Sequence, residues 1–88
     1  MNVFLVSYDL NKPGQRYEEF YRILNSFDWA RLSESCYAIY TNETPETLLR
    51  VFRRNMDAND TIYIAALTVP YTGFGPNAVN EWLSQRLS

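Results

Sequence analysis

The chain has 88 residues, 47% of them apolar and 16% aromatic, and its 8 basic against 10 acidic side chains leave a net charge of −2. That length holds one domain, and the acidic balance argues against nucleic-acid binding driven by bulk charge. With no histidine and a single cysteine, Cys36, histidine-based nucleophilic catalysis, imidazole-built zinc sites and internal disulfides are excluded.

No apolar run approaches the ~20 residues of a membrane span, and the N-terminus lacks a signal-peptide pattern. A cytoplasmic protein with no membrane partner is expected, with Cys36 as a small buried hydrophobe.

In chain order, Asn2 to Leu10 is a strand rich in apolar and β-branched residues that delivers the Asp9 carboxylate to a turn. Asn11-Lys12-Pro13-Gly14-Gln15 reverses the chain, because Pro13 fixes its own φ and biases Lys12 away from helix. Between Arg16 and Phe27 the residues Tyr17, Phe20, Tyr21, Leu24 and Phe27 fall on one face of a helix, with Glu18, Glu19 and Arg22 outward. Trp29 to Leu32 and Cys36 to Thr41 read as two strands joined by Ser33-Glu34-Ser35, close enough to be antiparallel neighbours.

Thr44 can cap a second helix with Pro45 in its first position, running to about Met56. Leu48, Leu49, Val51 and Phe52 form its apolar face, opposite Arg50, Arg53 and Arg54. Thr61 to Leu67 is apolar on both faces, as a central strand would be. Val69 to Pro76 holds two prolines and two glycines in eight residues and is a loop. Asn77 can cap a last helix with Val79, Trp82, Leu83 and Leu87 on one face.

The order strand, helix, strand, strand, helix, strand predicts an α+β, ferredoxin-like βαββαβ sandwich with an extra C-terminal helix. One domain spans 1–88, with a core over 2–67 and the loop and last helix over 68–88. In the first strand, Val3, Leu5, Ser7 and Asp9 share one face and Phe4, Val6, Tyr8 and Leu10 the other, yet two helices can cover only one of them. A second copy stacked sheet against sheet, with the C-terminal helix helping, is the expected cover.

Val6-Ser7-Tyr8-Asp9-Leu10, with Arg16 opening the first helix and Arg31-Leu32-Ser33-Glu34-Ser35-Cys36-Tyr37 across the hairpin, resembles the small CRISPR adaptation subunit and its toxin relative, virulence-associated protein D. The stretch Tyr8 to Gly14 is also similar to small bacterial and phage proteins that open on the same residues. The resemblance, over about 2–67, implies a ferredoxin-like homodimer in which Asp9 lies at the sheet edge. It further implies that Asp9 from each protomer holds a divalent metal, magnesium or manganese, for phosphodiester hydrolysis. In the same family the subunit also serves as a scaffold between integrase subunits.

Asp9 is accordingly the expected catalytic residue and metal ligand, since a hard cation takes carboxylate oxygen and keeps several waters. Tyr8, Arg16, Arg31, Ser33 and Ser35 are the expected substrate-binding residues. Two functions stand side by side: a metal-dependent endoribonuclease, and a non-catalytic dimeric scaffold or interaction module that binds protein, RNA or DNA.

Overall fold

The structure, a computed structural model, describes residues 1–12 and 17–87. Arg16 and the Pro13-Gly14 turn lie outside the described residues. The elements are β1 (Asn2–Asp9), α1 (Glu18–Leu24), β2 (Asp28–Ser33), β3 (Cys36–Thr41), α2 (Pro45–Arg53), β4 (Thr61–Leu67) and α3 (Asn77–Arg86). The four strands form one antiparallel sheet in the order β2-β3-β1-β4, so the fold is α+β. Among the described residues no helix is long and apolar enough to cross a membrane.

Both early helices stop sooner than their periodicity predicts, because tighter turns take over. After α1 the Phe27 N–H reaches back to Leu24 O at 3.3 Å and the Ser26 hydroxyl donates to Ile23 O at 2.6 Å. After α2 the Asn55 and Met56 N–H groups bond three residues back, to Phe52 O and Arg53 O. The start of α2 is as predicted: Thr44 Oγ1 accepts the Thr47 N–H at 3.1 Å, with Pro45 as the first helical residue. Asn77 is not a cap; it is the first residue of α3, and Pro76 precedes it.

Strand alternation puts Phe4, Val6 and Tyr8 of β1 beside Tyr37 and Ile39 of β3, under Phe20 and Leu24 of α1 and Leu48 and Phe52 of α2. This is the main core. The opposite face is covered in part by the chain itself. Leu83 of α3 is buried against Val3 and Ala38, with Leu5, Tyr40, Leu67 and Trp82 around them.

A polar latch holds α3 there: Trp82 Nε1 donates to Asp28 Oδ1 at 3.0 Å and Arg86 Nε to Asp28 Oδ2 at 2.9 Å. The Arg86 guanidinium also stacks 4.3 Å from the Trp82 ring centroid. The apolar side chains that suggested a stacked second copy therefore find part of their cover in α3. What stays open on that face is its other end, where Ser7, Asp9, Tyr63 and Ala65 are exposed.

β4 corrects the sequence reading more sharply. Its two apolar faces suggested a central strand, but it pairs with β1 alone and lies at the sheet edge. No residue of β4 is fully buried, and Tyr63 is 74% exposed. The central places belong to β1 and β3.

Asp60 ties the ends of the β1–α1 connection to the α2–β4 turn, accepting from Asn11 N at 2.7 Å, Tyr17 OH at 2.9 Å and Asp57 N at 2.7 Å. For Asp28 and Asp60 alike, partial desolvation works to raise the pKa, but the donors outweigh it and hold each carboxyl below its usual range. A depressed folded-state pKa stabilises above the unfolded value of about 4 and loses that stabilisation as pH falls through the folded one. Thermal melts from pH 6 down to pH 2 should therefore lose stability below about pH 4, by about 1 kcal/mol per site given solvent screening. Asp28→Asn and Asp60→Asn should each flatten that loss; an unchanged acid limb in both variants contradicts these roles.

Candidate functional site

Asp9 is the last residue of β1, opposite Thr61 of β4, and is exposed on the open end of the second face. Because β1 runs antiparallel to β3 with Ser7 opposite Cys36, the β2–β3 turn is carried to the end of β1. The result is a cleft of about 300 Å³ lined by Tyr8, Asp9, Leu10, Tyr21, Glu34 and Ser35. Three of the expected site residues, Tyr8, Asp9 and Ser35, meet there.

Tyr8 is 5% exposed and built into the frame. Its N–H donates to Ser35 O at 3.0 Å and its hydroxyl to Glu34 O at 3.3 Å. Its ring stands edge-on to Phe20 at 5.0 Å and to Tyr21 at 6.0 Å. Burial, reinforced by Tyr21, pushes its hydroxyl pKa far above that of a free tyrosine, so it stays protonated and serves as a strut.

Arg31 is likewise engaged on the hairpin, with Nε donating to Ser33 O at 3.2 Å and Nη2 to Glu34 O at 2.9 Å. Its guanidinium lies 5.8 Å from the Tyr37 ring centroid. Glu34 O thus accepts from both Tyr8 and Arg31, and the turn is pinned to β1 and β2 together. Ser33 ends β2 and Ser35 follows in the turn, both exposed; Ser33 does not line the cleft. Arg16 lies outside the described residues.

For a metal, Asp9 and Glu34 are the two carboxylate residues that line the cleft. Among the described residues no three acidic or cysteine side chains gather as a metal-holding group. Cys36 is half-buried rather than buried, and desolvation raises its thiol pKa, away from the reactive thiolate form.

Glu34 and Tyr21 are cleft residues that the sequence reading did not assign a role. Pairing β1 antiparallel to β3 brings the hairpin tip to Asp9, so Glu34 was recoverable from strand order alone. Tyr21 gave no such signal, because a tyrosine on the apolar face of a helix reads as core.

No family model matches this chain, and no curated protein matches it. Among solved structures it is similar to the crystal structure of a hypothetical protein from Thermus thermophilus, at 28% identity and a TM-score of 0.64, over 85% of this chain and 94% of that one.

Proposed function

We propose that the chain is a ferredoxin-like, dimeric interaction module of the CRISPR adaptation and virulence-associated protein D kind, which assembles with other macromolecules and does not cut nucleic acid. The ferredoxin-like reading is supported by the β2-β3-β1-β4 order with α1 and α2 packed on one face. The observation that carries the functional reading is the edge strand β4. Natural sheets protect their edges with charges, prolines or bulges. Thr61-Ile62-Tyr63-Ile64-Ala65-Ala66-Leu67 has no charge and no proline, and its register with β1 is unbroken from Val3 opposite Leu67 to Asp9 opposite Thr61. The other edge, β2, carries Asp28 and Arg31 and an irregular register between Arg31 and Ser33. One edge is blunted and the other is left ready to pair.

The cleft fits this reading, because the polar groups of Tyr8 and Arg31 that were expected to bind substrate are spent on holding the hairpin. A second reading, a magnesium- or manganese-dependent ribonuclease using Asp9 of two protomers, is favoured by the exposure of Asp9 beside Glu34. Labelled RNA and DNA incubated with wild type and Asp9→Asn, with and without each metal, separate the two. Wild type and variant should be equally inert. Metal-dependent cleavage lost in Asp9→Asn would establish the nuclease instead.

A further inference from the structure

Tyr8 and Arg31 spend their polar groups on the frame of the cleft; unspent hydroxyls line another hollow. Under the loop that joins β4 to α3, the second face of the sheet holds a cavity of about 200 Å³. Leu5, Leu32 and Leu67 form its floor, Val79 and Leu83 of α3 its wall, and residues 71–76 its roof. Among the described residues none of the lining side chains is charged. The hydroxyls of Tyr71 and Thr72, which also line it, have no hydrogen-bond partner among the described residues. Asn80 engages only Nδ2, which donates to Gly75 O at 3.2 Å and leaves Oδ1 free. The mouth is open: Phe74 is wholly exposed, and a Cβ added at Gly73 or Gly75 on either side of it would meet nothing within 4 Å.

An apolar cavity ringed by a few unengaged polar groups has the make-up of a small-molecule site. Its size limits the ligand. A cavity of about 150 Å³ lined by apolar side chains stays dry and takes benzene, whereas drug-sized ligands need about 300 Å³ or more. There is room for one ring with a small substituent, and no counter-charge for an ion. We propose that this cavity binds a small uncharged aromatic molecule of the phenol class, with its ring against the leucines beneath Phe74 and its hydroxyl among Tyr71, Thr72 and Asn80. Burial of the ring supplies the affinity. The free hydroxyls and Asn80 Oδ1 select a ring that carries a hydroxyl over the same ring with a methyl, which would leave them unpaired. The site uses neither the β4 backbone edge nor Asp9, so it stands or falls separately from the interaction-module reading.

Phenol, toluene and benzoate put a hydroxyl, a methyl and a carboxylate on one ring, and each is titrated into the full chain followed by methyl NMR. Phenol should shift the methyls of Leu5, Leu67, Val79 and Leu83 saturably, with a Kd on the order of 1 mM for so small a ligand. The methyls of Ile39 and Leu48 in the main core should not move. Toluene should bind about fivefold more weakly, and benzoate at least about tenfold more weakly, since its charge has no partner there. Val79→Phe fills the cavity with a ring of its own and should abolish the shifts, while its main-core methyls report that it is folded. Tyr71→Phe combined with Thr72→Val removes the two hydroxyls without touching the packing, and should cost phenol about fivefold and toluene nothing. Phenol shifts that never saturate, shifts kept in folded Val79→Phe, or benzoate binding as tightly as phenol overturns the site. A preference for toluene, or equal phenol affinity in the hydroxyl-free variant, overturns the phenol class. Shifts of the same methyls when the protein alone is concentrated would give the cavity to a second copy and overturn the proposal as well.

Discussion

Phe52→Ala should lower stability by about 3–5 kcal/mol, which for a domain of this size moves the melting temperature by well over 10 °C. Phe52 is fully buried, with its ring 5.3 Å from Phe20 and 6.5 Å from Phe27. It is where α1, α2 and the sheet meet, so the cavity cannot collapse without moving a helix. A small domain has about 5–15 kcal/mol in total, and the variant should be close to unfolding at 37 °C. Urea and thermal denaturation followed by circular dichroism measure the loss. A change below about 1 kcal/mol would mean that the aromatic cluster is not the core.

Leu83→Asp should detach α3 while leaving the main core standing. Leu83 is the buried residue of α3, and its neighbours are Val3 and Ala38. A carboxylate there has no donor and costs several kcal/mol if held in place. The cheaper response is for α3 to leave, giving up its apolar contacts and the Asp28 latch, at about 2–4 kcal/mol. Hydrogen exchange should then show α3 amides losing protection while β1 and β3 keep theirs. Protection kept in α3, or lost equally in all strands, contradicts a helix that packs as a separable cover.

The order of elements was legible because each carries a local signal. The i, i+3, i+4 spacing around Phe20 and Leu24, the Thr44-Pro45 start and the two short runs about Ser33-Glu34-Ser35 all appear as elements in the structure. Strand position was not legible. Thr61 to Leu67 has the composition of a buried central strand, and composition reports how much apolar surface a strand carries, not whether this chain supplies its neighbour. The same limit applied to the second face of β1. Its apolar residues demanded cover, but only the three-dimensional path of residues 77–86 shows that α3 provides much of it.

At the site, Asp9 was placed correctly at the exposed end of β1, because a strand of this alternation ends where its polar residue reaches solvent. The hydrogen bonds of Tyr8 and Arg31 were not legible. A tyrosine and an arginine beside a carboxylate look like substrate ligands, yet their hydrogen bonds run to the carbonyls of Ser33 and Glu34. Backbone acceptors are invisible to a motif.

The most direct measurement is amide hydrogen exchange of β4 as a function of protein concentration. If its bare edge is the working surface, the N–H groups of residues 61–67 that point away from β1 gain protection as concentration rises, while the β2 edge does not change. Rapid exchange of those β4 amides at every concentration would contradict an edge that exists to be paired.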